Sequence, residues 1–140
     1  MIKFKINVAV NKKKEVTDKY KKVLMKAMFK MEELAIHKAP FDRGTLKGRI
    51  TLFPQILSNK YILKSESPNS AVMEYGSRPF YADIKPLKAW AKRKFGDEDM
   101  AYTVQDKIAE EGITAQPYMR PALVKVKTYW LPEYMKSAFD

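Results

Sequence analysis

At the start of the chain Ile2, Phe4, Ile6 and Val8 alternate with Lys3, Lys5 and Asn7. That two-residue period predicts a strand with one buried and one wetted face. From about Asn11 to Ala39 the spacing lengthens: Val16, Tyr20, Val23, Leu24, Ala27, Met28, Met31, Leu34 and Ala35 recur at steps of three and four, with no Gly or Pro between them. This predicts an amphipathic helix about 40 Å long. Pro40 stops it, because the residue before a proline is pushed out of the helical region.

Ala39 to Gly48 reads as a turn-rich loop holding Pro40, Asp42, Gly44 and Gly48. Arg49–Leu57 and Lys60–Glu66 follow as two strands joined at Ser58-Asn59. Pro54 has no N–H to give a ladder, so the first of these strands belongs at an edge or carries a bulge. After the Ser67–Ser70 turn, Ala71–Tyr75 reads as one helical turn closed by Gly76. Pro86 opens a helix with Leu87, Trp90, Ala91 and Phe95 on one face and Gly96 past its end. A further helix over Glu98–Glu111 buries Met100, Ala101, Val104, Ile108 and Ala109, with Gly112 as the left-handed residue behind it. The last helix starts at Pro121 and carries Leu123, Val124, Val126, Trp130, Tyr134 and Met135, with Pro132 expected to kink or split it. These elements amount to one α+β domain over residues 1–140: a long N-terminal amphipathic helix on a small, mainly antiparallel sheet, with shorter C-terminal helices.

Set at about 100° per residue, the long helix shows two surfaces besides its core stripe. Lys19, Lys22, Lys26 and Lys30 form a basic flank, a candidate electrostatic contact. Met25, Phe29 and Ile36 gather roughly opposite the core. They are either covered by another part of the same domain or form a candidate subunit contact.

Charge sharpens this picture. The chain has 27 Lys and Arg against 16 Asp and Glu, a formal +11. Eleven lysines against four acidic residues fall within Met1–Lys38. A polyanion or acidic partner is the functional reading of that excess, and a solubilising surface the plain one. Without cysteine the chain has no disulfide, thiolate nucleophile or sulfur-ligated zinc. The apolar runs are too short or too broken by lysine to span a bilayer, and the N-terminus lacks the charged-then-apolar order of a secretory signal. A soluble protein made in a cytoplasm is expected.

Chemistry is sparse. His37 is the single histidine and suits the negative end of a helix better than a catalytic pair. Glu32-Glu33 and Asp97-Glu98-Asp99 lack the spacing of a calcium loop, and no glycine-rich phosphate cradle is present. No enzymatic activity, cofactor, metal or small-molecule substrate is expected. Nucleic-acid binding has the charge and the aromatics in its favour, but no helix-turn-helix, zinc-finger or ribonucleoprotein sequence accompanies them.

Three segments carry a resemblance. Ala39-Pro40-Phe41-Asp42-Arg43-Gly44-Thr45-Leu46 follows the long helix, with Arg43 where the pattern usually has Thr before Gly44. Met73-Glu74-Tyr75-Gly76-Ser77-Arg78-Pro79 comes next, and Gln116-Pro117-Tyr118-Met119-Arg120-Pro121-Ala122-Leu123 opens the last helix. In this order and spacing they resemble the phage minor tail component family, over about residues 10 to 135, and the Trp90 helix is similar to an insertion seen in some members. The resemblance implies a virion protein of the neck or tail, acting in tail completion or head-tail joining. It implies a ring of identical subunits touching connector and tail proteins in the virion, assembled in the host cytoplasm; the basic flank, for its part, is a candidate for nonspecific contact with DNA in the channel. The alternative is a free-standing basic nucleic-acid-binding protein. Pro40, Gly44, Leu46, Glu74, Gly76, Arg78, Pro117, Arg120 and Pro121 are the structural positions of the motifs. Glu74 in an apolar segment needs a donor if buried, and Arg78 or Arg120 is the expected one.

Overall fold

The computed structural model describes residues 1–7, 14–55 and 60–140. Within them the order is β1 (Ile2–Asn7), α1 (Lys14–Lys38), α2 (Thr45–Gly48), β2 (Ile50–Gln55), β3 (Lys60–Ser65), α3 (Ser70–Tyr75), α4 (Ile84–Phe95), α5 (Met100–Glu111), α6 (Met119–Lys125) and α7 (Leu131–Phe139). The fold is α+β, as the periodicities imply. Val8, the helix start at Asn11, the end of the strand at Leu57 and the Ser58-Asn59 turn lie outside the described residues.

The sheet has the order β1-β3-β2, antiparallel throughout. Its register places Leu63 of β3 between Phe4 and Leu52, and Ser65 between Ile2 and Ile50. Ile2, Ile50, Leu52, Tyr61, Leu63 and Ser65 are all buried and make the inner face, one alternating set from each strand, while Ile62 is buried on the opposite face. Pro54 lies on an edge strand, the first of its two permitted places. Glu66 N–H donates to the Arg49 carbonyl, which starts an alternation that turns the nitrogens of Leu52 and Pro54 away from β3. Proline has no hydrogen to lose there. The outward N–H of Leu52 donates to Glu32 Oε1 of α1 at 3.1 Å, so the long helix satisfies part of the exposed sheet edge.

α1 packs on β2 and β3 on one side and on the C-terminal helix on the other. Leu24, Ala27, Met28, Met31 and Ala35 meet Ile50, Leu52, Tyr61 and Leu63 from the sheet and Tyr118, Met119, Ala122 and Val126 from the C-terminal helix in one core. The division expected at Pro132 is seen as a change of helix type, with helical dihedrals kept through it. The chain continues from α6 through a π-helical stretch, Val126–Trp130, into α7, with Pro132 as the second residue of α7. Leu131 N–H donates to Val126 O five residues back. The wider turn absorbs the ring clash and the missing donor that proline imposes.

Three helix starts differ from expectation, α5 beginning at Met100 and not Glu98. α4 begins at Ile84, two residues before Pro86, because Asp83 caps it by accepting the Lys85 N–H at 3.1 Å. The C-terminal helix begins at Met119, not Pro121. Three residues expected to be buried are exposed: Phe95, Met100 and Val124. α4 and α5 form an antiparallel hairpin packed mainly on itself, and none of its residues joins the principal core. Buried Gln105 on α5 donates to Ala82 O at 2.7 Å and holds the hairpin to the segment that leads into it. Among the described residues no helix is long and apolar enough to cross a membrane.

Candidate assembly junction and basic seam

Every helix starts with backbone N–H groups that have no partner within the helix. At α6 those amides point at Glu74. The carboxylate is 3% exposed; Oε2 accepts from the N–H groups of Tyr118 at 2.8 Å and Met119 at 2.9 Å, and Oε1 from that of Arg120 at 2.7 Å. This corrects the expected partner: the donors are main-chain amides, and Arg120 contributes its N–H while its side chain and that of Arg78 lie in exposed residues. A buried carboxylate at a helix N-terminus is stabilised by the amides and by the helix dipole together. The second and third motif segments are therefore joined through one side chain.

The backbone beside Glu74 is clasped as closely. Gly76 and Gly112 both have positive φ, 74° and 78°, with ψ near ±180°. Gly112 is thus not the left-handed helical residue expected after α5, but occupies an extended region open essentially to glycine alone. The two glycines let the strands of chain around them touch: Ser77 N–H donates to Ile113 O at 2.9 Å, Ile113 N–H to Ser77 Oγ at 3.0 Å and Gln116 N–H to Met73 O at 2.7 Å. Tyr118, fully buried, pairs its hydroxyl with Ser65 Oγ of β3 at 2.6 Å. Burial pushes this phenol above its ordinary range, so it keeps its proton.

The first motif segment reaches the same core. Ala39 is buried in it, and Leu46 packs against it, the core that also takes in Met73 of the second segment and Tyr118, Met119 and Ala122 of the third. Gly44, with φ 79° and ψ −1°, is left-handed and turns the chain into the short helix α2, which the loop reading did not anticipate. Pro40 and Pro121 are half-buried, and Pro117 is exposed.

Asp42 in this loop makes a bidentate pair with Arg93 of α4, Nε to Oδ1 at 3.0 Å and Nη2 to Oδ2 at 2.7 Å. The Arg93 hydrogen bond lowers the Asp42 pKa below the usual carboxylate range; slight burial opposes it and the charges of Arg93, Arg43 and Lys94 help. A depressed folded-state pKa means stability that is present above the unfolded value, about 4, and is lost as pH falls through the folded one. Both side chains are about a third exposed, so the effect is small. Asp42→Asn is expected to lower the urea midpoint slightly at neutral pH and to converge with the wild type as pH falls below about 4, so that the acid limb is flatter. An unaltered acid limb would show that the pair contributes nothing.

The apolar stripe proposed on α1 does not survive as a unit. The edge of the sheet reaches that side of the helix, as the Glu32 bond to Leu52 shows, and Met25 and Ile36 are half-buried against the core. Phe29 alone is exposed, at 53%. The basic flank faces α7. Lys19 Nζ lies 5.9 Å from the Phe139 ring centroid, Lys26 Nζ 4.6 Å from that of Tyr134 and Lys30 Nζ 4.5 Å from that of Trp130. Lys22 joins Lys19 and Lys26 in lining a shallow groove of about 260 Å³ against Tyr134, Ser137 and Ala138.

Several working residues were not singled out from the sequence. Asp83, three residues ahead of Pro86, has the composition of a helix cap and was legible on that ground. Glu32 and Gln105 act across 20 and 23 residues respectively, and nothing local marks them. Among the described residues no three His, Asp or Glu side chains gather as a metal site. Compared with family models, with curated proteins and with solved structures, the chain matches none.

Proposed function

We propose that the protein is a structural component of the neck or tail of a phage-like virion, acting in tail completion or head-tail joining through protein-protein contacts in a ring, and not through turnover of a substrate. One observation carries the reading: the second and third of the segments that resemble the phage minor tail component family are locked together by Glu74 and the amides of Tyr118, Met119 and Arg120, and the first contributes Ala39 and Leu46 to the same hydrophobic core. A second observation agrees with it. Phe29, Tyr75, Phe80, Tyr81 and Tyr129 are between 45% and 76% exposed. Subunit contacts of a virion would cover such surface.

Sedimentation and negative-stain microscopy of the purified protein test this reading. A discrete closed assembly that persists at high salt is expected, because its contacts are largely apolar. A monomer at every concentration and salt, alone and mixed with connector or tail proteins, would overturn it. The rival reading, a free-standing nucleic-acid-binding protein, draws on the lysine row of α1 and predicts a monomer that binds DNA in a salt-labile way.

A further inference from the structure

We infer that the seam between α1 and the C-terminal helix is a binding site for the phosphodiester backbone of a nucleic acid, engaged through charge and without reading bases. The inference goes beyond the assembly role and does not rest on it.

Lysine side chains on a surface are ordinarily mobile or paired with carboxylates. Three of these four are instead seated over aromatic rings of the C-terminal helix: Lys19 on Phe139, Lys26 on Tyr134 and Lys30 on Trp130; Lys47, Lys64 and Lys88 sit over rings singly elsewhere, and among the described residues the seam is where such lysines share one helix. The difference matters electrostatically. A carboxylate partner cancels the charge of an ammonium, whereas a ring attracts it through a quadrupole and carries no net charge. The rings therefore hold Lys19 and Lys26 with their field intact, while Lys22 lines the groove between them without a ring partner among the described residues. Only Lys30 also has a carboxylate in this row, Glu33 at 3.0 Å, among the described residues.

The row has a regular pitch. Lys22, Lys26 and Lys30 follow one another at four residues, about 6 Å of rise each, a repeat comparable with the separation of consecutive phosphates along a strand. It also continues. A second groove on the same seam, about 420 Å³, is lined by Leu34, His37, Lys38, Pro121, Ala122 and Lys125. His37 lies eighteen residues from Lys19, which is five helical turns and about 27 Å along the same side of α1. An acidic protein segment would bring apolar side chains needing pockets of their own, and the rings here are already occupied by lysine. For the same reason Trp130 and Tyr134 do not offer free faces for bases to stack on, so binding is indifferent to sequence.

The test is binding of a short labelled DNA duplex to the full chain by fluorescence anisotropy across a salt series. Each lysine that neutralises a phosphate contributes about 0.9 to the slope of log affinity against log salt. Replacing Lys19, Lys22, Lys26 and Lys30 together by Gln is expected to reduce the slope by about 3 to 4, so that the wild-type advantage shrinks about 100-fold between about 50 and 200 mM salt. An equal loss of charge elsewhere, at exposed Lys60, Lys85, Lys92 and Lys94, is expected to change the slope far less. The fourfold Lys→Arg variant is expected to bind as the wild type does. Equal slopes for seam and control variants, or no DNA binding by the wild type, would overturn the proposal. So would polyglutamate competing as well as DNA at equal charge, which would point to an acidic protein instead. Should the Gln variant fold poorly, lysine acetylation of the wild type with and without DNA decides: protection centred on the four seam lysines supports the site, and protection spread evenly or centred on α4 overturns it. The oligomeric state of each variant at high salt is read separately, so failure here leaves the assembly reading standing.

Discussion

Glu74→Ala is expected to destabilise the fold by about 3 to 4 kcal/mol, the cost of stranding three partly or wholly buried N–H groups that a charged acceptor now satisfies. The charge-assisted bonds are each strong, but their sum overstates the loss, since Arg120 is exposed at the residue level and water can reach its amide. Tyr118 and Met119 are fully buried and have no such relief. Glu74→Gln separates charge from shape. It keeps one carbonyl oxygen for the pair of amides now served by Oε2, but turns an NH₂ group toward the amide of Arg120. About 2 kcal/mol of loss is expected, since one bond becomes a clash of donors and the rest lose their ionic character. Urea unfolding with an unchanged dependence on denaturant checks both values. A Glu74→Ala loss below about 1 kcal/mol would mean that the junction is not what holds α3 to α6.

Gly112→Ala is expected to be at least as damaging, about 4 kcal/mol, for a reason that has nothing to do with lost contacts. Its φ of 78° with ψ −165° is unfavourable for any side chain, and a Cβ there would overlap the Ser77 carbonyl oxygen and approach the Arg78 carbonyl carbon to 2.8 Å. Both neighbours are backbone, held by the Ser77-Ile113 hydrogen bonds, so neither can step aside cheaply. Gly96 provides the control. It also has positive φ, but nothing lies within 4 Å of its would-be Cβ, so Gly96→Ala is expected to cost only about 1 kcal/mol of backbone strain. Thermal melts of the two variants in parallel decide the matter. Equal shifts would show that neither the close approach of the two segments nor the extended positive-φ backbone of Gly112 adds to the ordinary cost of a left-handed glycine.

These two positions also show how much of the candidate junction could be read in advance. Glu74 was marked as a carboxylate in an apolar segment that would need a donor, and Gly112 as a residue of positive φ. The identity of the donor was out of reach. It depends on where α6 begins, and α6 begins two residues before the proline that seemed to start it. The same limit applies to α1. Its period revealed a core stripe and a lysine flank, but not that the sheet edge half-covers Met25 and Ile36 or that Trp130, Tyr134 and Phe139 lie under the lysines.

What the amino-acid sequence determined by itself is what local physics decides: the two-residue and 3.6-residue periods that separate strand from helix, the edge position of a strand containing Pro54, the breaks at Pro40, Gly76 and Gly96, and hence the α+β class. Tertiary structure alone decided which polar groups satisfy one another and which apolar faces are covered. Glu74 meets amides 44 to 46 residues away, and Asp42 meets Arg93 across 51. Backbone preference acts between neighbours in the chain, whereas burial and pairing belong to two segments at once and exist only after both have been brought together.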